Sequence, residues 1–357
     1  MLKWTASRIN AANYCRMRYY LRYVDPSKPK PARLSAYVKG SLLHDLIENF
    51  WKKLGTLEEV VSKSKNFKDK KYFDAESFSK YAQGKWTSIA IADERSPNKI
   101  DWRDKDEKWV IRSNLKKICT PLFPFLKEEG PPLFAELPIR VKFNGRMYYG
   151  IIDEIRKKDK LIIRDYKSGR PWVGEMKLKH DPQLTFYNFL VCCSANQNKE
   201  FAKKLGLEEE VTKKFMGNPF YICPDFELQF SMIEALAIDI NSPNIKNPPN
   251  LISSTFRTDE NYFELVKMID GTQEAVETGN IYPERGKKCD SCDMSVACDK
   301  KLNDVNSGIF VDKKRQLIFD FAVPNFIKKE EPPKKNKSQK KFSFRYNLET
   351  GVKNSQE

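Results

Sequence analysis

Apolar and polar positions alternate most sharply between residues 133 and 167. Leu133–Phe143 is a predicted strand, and Asn144-Gly145 after it is the strongest two-residue signal for a tight hairpin. Two apolar runs follow, Tyr149-Gly-Ile-Ile-Asp-Glu-Ile155 and Leu161-Ile-Ile-Arg-Asp-Tyr-Lys167. The polar stretch Arg156-Lys-Lys-Asp-Lys160 between them reads as a second turn. Upstream, residues 5–24 are predicted helical with Ser7 as N-cap, and Asp25–Arg33, with three prolines, is a loop. A helix follows from about Ser35 to Leu54, its stripe of Leu43, Ile47, Phe50 and Leu54 recurring at helical spacing.

Residues 62–112 are rich in Lys and Asp with scattered aromatics, and they read as a mainly helical insertion. Beyond the last aspartate strand, Gly169, Arg170 and Pro171 end the sheet run. Asp181 then caps a helix with Pro182 at its first position, and that helix carries Gln183, Phe186, Tyr187 and Leu190. A further strand is placed at Phe220–Cys223 or around Phe226–Ile233, and an amphipathic helix over 259–279. From Lys328 to Lys341 there is no apolar residue, so the tail over 328–357 is expected to be disordered. No internal repeat is present. The mixture of strands and helices makes the fold class α/β.

Length and composition narrow this picture. A chain of 357 residues with 40% apolar content supports two domains, or one large domain with insertions. The net charge of +16 points to a polyanionic partner, nucleic acid first and a membrane surface second. No apolar run approaches the roughly 20 residues that span a bilayer. The N-terminal residues lack the apolar region of a signal peptide, so the expected location is cytoplasmic (intracellular). In that compartment the eight cysteines are expected as thiols or metal ligands, not disulfides.

The candidate chemistry lies in the hairpin. Asp153 and Asp165 are equally far from residue 159, so a turn centred there sets them opposite each other. Cross-strand neighbours are about 5 Å apart at Cβ, and two carboxylates so placed call for a cation between them. The Ile-Ile pairs beside both aspartates indicate burial. Lys167, two residues past Asp165, shares its face. Oxygen ligands suit Mg²⁺ or Mn²⁺, and the lysine would stabilise developing negative charge or help position or deprotonate a water. That is equipment for metal-assisted phosphodiester hydrolysis. His44, with Glu48 one turn on, is a further candidate ligand, and Glu136 a candidate third carboxylate. Gln183 and Tyr187, one helical turn apart, would contact DNA or support the site.

Cys289-x₂-Cys292-x₅-Cys298 is a tight thiol cluster in a polar segment. Three thiolates do not close a four-coordinate site, and the fourth must come from Cys15, Cys119, Cys192, Cys193 or Cys223. Cys192, Cys193 and Cys223 sit in apolar runs and read as core residues. Zinc and an iron–sulfur cluster both fit four thiolates.

Ser7-x₇-Cys15 with Tyr19, Gly40-x₃-His44, Gly150-Ile-Ile-Asp153, Asp165-Tyr-Lys-Ser-Gly169 and Gln183-x₃-Tyr187, in this order, resemble the RecB-like nucleases of the PD-(D/E)XK superfamily. The terminal cysteines resemble those of the subset that includes the AddB nuclease domain and the CRISPR-associated RecB-like nucleases. The resemblance covers about Leu2 to Lys300. It implies a restriction-endonuclease-like core, a mixed central sheet flanked by helices. It implies His44, Asp153 and Asp165 as metal ligands, Lys167 as catalytic lysine, and Gln183 and Tyr187 as motif residues near the active site. It implies a [4Fe–4S] cluster on Cys15, Cys289, Cys292 and Cys298, stapling the N- and C-terminal parts across a loop of roughly 270 residues. The chain departs from the family at Arg16, where proline usually follows the cysteine, and in having Asp165 where the superfamily motif also admits Glu.

The expected organisation is a nuclease module over 1–300, with the insertion at 62–112 and the cysteine cluster at 286–300, then an extension over 301–327 and the basic tail over 328–357. The expected activity is Mg²⁺- or Mn²⁺-dependent, exonuclease-like cleavage of single-stranded DNA or DNA ends, in recombination, repair, replication or CRISPR adaptation. The alternative is a DNA-binding subunit of a helicase or integrase assembly with little catalysis. The tail is a candidate DNA tether, with Phe342-Ser-Phe344-Arg-Tyr346 a candidate docking peptide for a protein partner; a solubilising tail is the plainer reading.

Overall fold

One long strand organises the molecule. In the computed structural model, which describes residues 3–63, 74–169, 173–207, 225–238 and 249–306, with the side chains of 52–63 and 304–306 outside that description, this strand is β5 (Arg146–Lys157). On one edge it pairs antiparallel with β4 (Phe134–Phe143) along nearly its whole length. The turn between them is Asn144-Gly145, both at positive φ (44° and 72°), the type I′ geometry that the dipeptide favours. The other edge of β5 is divided. β1 (Lys3–Thr5) runs parallel beside residues 147–149, and β6 (Leu161–Lys167) runs antiparallel beside 154–157. Residues 150–153 therefore have no strand on that edge among the described residues. β7 (Glu227–Met232) adds parallel to β6, and β8 (Ile252–Thr255) antiparallel to β7, so the sheet is mixed. The short β2 (Arg33–Leu34) and β3 (Ile100–Asp101) pair separately.

Helices cover both faces. Against one lie α1 (Ala6–Tyr14), α7 (Pro182–Gln197) and α9 (Asp259–Thr278), around a core that holds Trp4, Ile152, Ile163, Phe186 and Leu190. Against the other lie α3 (Ser35–Lys63), α4 (Ala75–Arg95) and α5 (Glu107–Glu129), whose core takes in Phe50, Phe78, Leu115 and, from β6, Tyr166. The expected stripe residues Leu43, Ile47 and Phe50 are buried here. Thus the helices of the expected insertion form a full layer, and the second of them runs on to Glu129. No described helix is long and apolar enough to cross a membrane.

Several expectations needed adjustment. The helix over 5–24 is two helices, α1 and α2 (Arg16–Tyr23), because Cys15 is extended (φ −172°, ψ 129°). Its cap is Thr5, not Ser7: pairing with β5 holds Thr5 in a strand, and its Oγ1 accepts the Arg8 N–H at 3.2 Å. α3 continues past Leu54 to Lys63. Of the two placements for a later strand, β7 matches the one around Phe226–Ile233; Phe220–Cys223 lies outside the described residues, as do most of 301–327 and the whole tail. The remaining helices are α6 (Glu175–Lys179), α8 (Lys199–Leu205) and α10 (Ser295–Asn306).

Gly150 sits where β5 lacks its second neighbour, and α7 packs closely on its face. A Cβ at this position would lie 2.6 Å from Leu190 Cδ1 and 3.4 Å from Tyr187 Cε1. Gly150→Val is expected to push α7 off the sheet and to lower stability by about 1–3 kcal/mol, the usual cost of overpacking. The check is the midpoint of urea unfolding, with an unchanged midpoint counting against this close approach.

Candidate active site

The hairpin register is symmetric about residue 159: Glu154 pairs with Arg164, Ile155 with Ile163, Arg156 with Ile162 and Lys157 with Leu161. The ladder stops one step short of the aspartates. There Asp153 Oδ2 takes the Tyr166 backbone N–H at 2.7 Å. Asp165 is buried, with Oδ1 accepting from Gln183 Nε2 at 2.7 Å and Oδ2 2.6 Å from Lys167 Nζ. Lys167 also donates to Gln183 Oε1 at 2.8 Å and lies over the Phe230 ring. Gln183 Nε2 has a second short contact, 2.9 Å to the Tyr187 hydroxyl.

Gln183 is placed by the start of its own helix. Asp181 Oδ1 accepts the Gln183 and Leu184 N–H groups at 2.9 and 3.0 Å, and Pro182 occupies the first turn, as the sequence predicted.

From the other layer, α3 brings His44. Gly40, one turn earlier, lets that helix approach the end of β6: a Cβ there would be 2.7 Å from Ser168 Oγ. His44 Nδ1 lies 3.4 Å from Asp153 Oδ2 and 3.9 Å from Glu136 Oε1. Ligand atoms of His44, Glu136 and Asp153 all fall within 4.8 Å of one another. Glu136 has φ 47°, a left-handed conformation rare for a residue without a glycine's freedom, at the β4 position facing Asp153. An open groove lined by Tyr37, Ser41, His44, Glu48, Glu136 and Ser168 gives access to the cluster.

The electrostatics show how crowded this cluster is in acid. Burial alone would depress the His44 pKa, but Asp153, Glu136 and Asp165 overcome it and raise it to about 11. Burial pushes Asp165 upward, Lys167 opposes this, and Asp153 adds to it. Lys167 stays protonated because Asp165, Asp181 and Asp153 outweigh its desolvation. Three carboxylates and two cationic groups thus share one partly water-excluded place, a donor set suited to a divalent ion.

Across the sheet from the aspartates lies a buried ionic network. Glu154 pairs with Arg156 and with Arg164 Nη1 (3.4 Å), and accepts from the Tyr166 hydroxyl at 2.8 Å. Arg164 also reaches Glu129 Oε2 (2.7 Å) and Gln229 Oε1 (2.9 Å).

The cysteines divide cleanly. Cys119, Cys192 and Cys193 are buried in the two helix-layer cores. Cys15, Cys289, Cys292 and Cys298 line one cavity of about 340 Å³. Asp293 beside them is buried between Arg18 Nε (2.7 Å) and Arg22 Nη1 (2.9 Å). Among the described residues, Cys15 is the thiol that joins the C-terminal three; Cys223 lies outside them.

A family profile for the PD-(D/E)XK nuclease superfamily matches residues 3–299, most of the chain. The chain belongs to the PD-(D/E)XK nuclease superfamily. No curated protein matches it. The superfamily's central mixed sheet flanked by helices is the architecture described above.

For this superfamily member, sequence reading placed Asp153, Asp165, Lys167, Gln183 and Tyr187; the structure gathers Asp165, Lys167, Gln183 and Tyr187 on the α7 face, and Asp153 meets His44 from the α3 layer. Asp165 stands apart from the tight group: its oxygens are engaged by Gln183 and Lys167. Two contributors were missed. One is the Tyr166 backbone N–H, for which a sequence carries no signal. The other is Asn10, whose Nδ2 donates to Gln183 Oε1 at 2.8 Å and whose place inside a helix, unfavourable for Asn, was a signal. Glu154→Leu would leave Arg156 and Arg164 short of a buried partner, and is expected to destabilise by about 3–5 kcal/mol. Urea unfolding of the metal-free protein measures this, and a loss under about 1 kcal/mol would show the network to be dispensable.

Proposed function

We propose that this chain is a RecB-like, metal-dependent deoxyribonuclease that hydrolyses phosphodiester bonds in single-stranded DNA or at DNA ends. The observation that carries the reading is the convergence of His44, Glu136 and Asp153 from three elements beside the Asp165–Lys167 pair, with His44 and Glu136 lining an open groove. Oxygen donors with one imidazole fit Mg²⁺ or Mn²⁺, held by His44, Asp153 and Asp165 with Glu136 as a further candidate. Such an ion, when bound, lowers the pKa of a water and offsets charge on the phosphate.

The remaining work falls to side chains. Lys167 is a fixed donor, aimed by Asp165 and Gln183, for an oxygen on which negative charge develops. Gln183 holds Asp165 and Lys167 in a constant relation through opposite ends of one amide. Burial of Asp165 and Tyr187 keeps that relation dry and the charge interactions strong. The net charge of +16 favours a polyanion at the groove. Recombination, repair, replication and CRISPR adaptation all supply such substrates.

With 5′-labelled single-stranded and duplex DNA, cleavage is expected only with Mg²⁺ or Mn²⁺, and EDTA should abolish it. Lys167→Ala should lower kcat about 10²–10³-fold, the range for losing a fixed transition-state donor. Wild-type protein that cuts neither substrate with either metal would overturn the proposal, as would full activity in the alanine variant.

We further assign Cys15, Cys289, Cys292 and Cys298 to a [4Fe–4S] cluster. Their cavity supports this reading, and so does their spacing. Cys289-x₂-Cys292-x₅-Cys298 supplies three short-spaced thiols and Cys15 a fourth on the same cavity. Anaerobically purified protein should contain about four irons per chain, no zinc, and absorb near roughly 400 nm. Cys289→Ser should lose this absorbance. Stoichiometric zinc in place of iron would reject the assignment.

A further inference from the structure

Asn10 lies in the middle of α1, far in sequence from every residue placed in the active site. Its Nδ2 donates to Gln183 Oε1 at 2.8 Å. That oxygen also receives Lys167 Nζ at 2.8 Å, while Gln183 Nε2 faces Asp165 Oδ1 at 2.7 Å and the Tyr187 hydroxyl at 2.9 Å. The Gln183 amide therefore has neighbours at both ends, and the two ends are not equivalent. Turned by 180°, it would set its NH₂ against two donors, Asn10 and Lys167, and its carbonyl against the Asp165 carboxylate. The contacts with Lys167, a donor only, and with the Asp165 carboxylate would become repulsive or be lost, whereas the Asn10 amide and the Tyr187 hydroxyl could turn to adapt.

Lys167 and Asp165 set which way round the Gln183 amide lies, but Lys167 alone does not fix its position. Its ammonium has three donors on a flexible stem and a second partner in Asp165. Asn10 differs. Its helix is anchored at the start by β1 pairing with β5 and at the end by Tyr14, whose hydroxyl donates to Lys288 O. Ile9, Ala11 and Ala12 around it are buried in the core shared with α7. An Asn inside a helix lowers helix propensity, and here its amide serves a contact to another helix.

We infer that Asn10 is a positioning residue of the active site, holding the Gln183 amide in place and through it Asp165 and Lys167. The inference rests on the nuclease reading above. Asn10 acts on the reaction only through Gln183, so its removal changes turnover and leaves DNA affinity alone.

The test has two arms. In the first, cleavage by wild type, Asn10→Ala, Gln183→Ala and the double variant is measured with Mn²⁺. Asn10→Ala is expected to lower kcat about tenfold, equivalent to about one hydrogen bond, with KM for DNA unchanged. In the Gln183→Ala background the same substitution should have no further effect. Asn10→Asp, which replaces the donor with acceptors, should be at least as impaired as Asn10→Ala, whereas Asn10→His, which keeps a donor, should recover part of the loss. Equal kcat for Asn10→Ala and wild type, or two independent losses that multiply in the double variant, would overturn the inference.

The second arm needs no catalysis. The side-chain NH₂ of Gln183, identified by its absence from Gln183→Ala, is followed in ¹⁵N-glutamine-labelled protein. Asn10→Asp should shift both of its proton resonances and speed their exchange with water, while Asn10→His should leave them near wild type. An unmoved Gln183 amide in Asn10→Asp would sink the inference. Should the wild-type chain cut no DNA, the nuclease reading falls, and this spectrum alone decides whether Asn10 holds Gln183 in place.

Discussion

The arrangement of the site depends on where β5 changes neighbours. β1 leaves its edge after Tyr149 and β6 joins it at Glu154. In the interval the backbone is free of strand pairing on that side. α7 packs directly on Gly150, which brings Gln183 and Tyr187 within reach of β6. Asp153, released from the ladder, turns its carboxylate to the Tyr166 N–H. A continuous β5–β6 ladder would have spent that N–H on a backbone carbonyl.

The same strands lock their register from both faces. Asp165 and Lys167 point toward α7, while Glu154, Arg156, Arg164 and Tyr166 point toward α3 and α5 and pair among themselves and with Glu129. A slip of one residue would exchange the two faces. It would put Arg164 and Tyr166 against the Gln183 amide, and Asp165 into the place of a group that neutralises Glu154. Both outcomes leave buried charge unpaired, at a cost of several kcal/mol each. The network beneath the sheet is therefore as much a determinant of the site as the residues that face the groove.

This also explains what could be read from the sequence. The hairpin centre, the Asn144-Gly145 turn and the Asp181-Pro182 helix start are local, fixed by residues within a few positions of one another, and they were legible. The partnership of His44 with Glu136 was only half legible. Each residue was a candidate, but their meeting depends on α3 crossing the end of β6 at Gly40 and on a left-handed Glu136. Neither is a matter of local pattern. β1 and β8 were missed because three or four residues carry too little alternation, and the helix break at Cys15 was missed because Arg16 and its neighbours favour continuing the helix. The long α5 contains Pro121 and Pro124, which its packing against α3 and α4 overrides.

The N-terminal helix ties these levels together. α1 presents Asn10 to the active site and ends at Cys15, in the wall of the cysteine cavity. The C-terminal segment grips this end through protein contacts alone: Tyr14 and Lys288 bond each other's carbonyls, and Asp293 is clamped by Arg18 and Arg22. Lys301 adds an ion pair to Asp25. With α1 pinned at Cys15 by the far end of the chain and at Thr5 by β5, little freedom remains at Asn10 between them. The helix that carries Asn10 is thus held at one end by β5 and at the other by a segment some 270 residues along the chain.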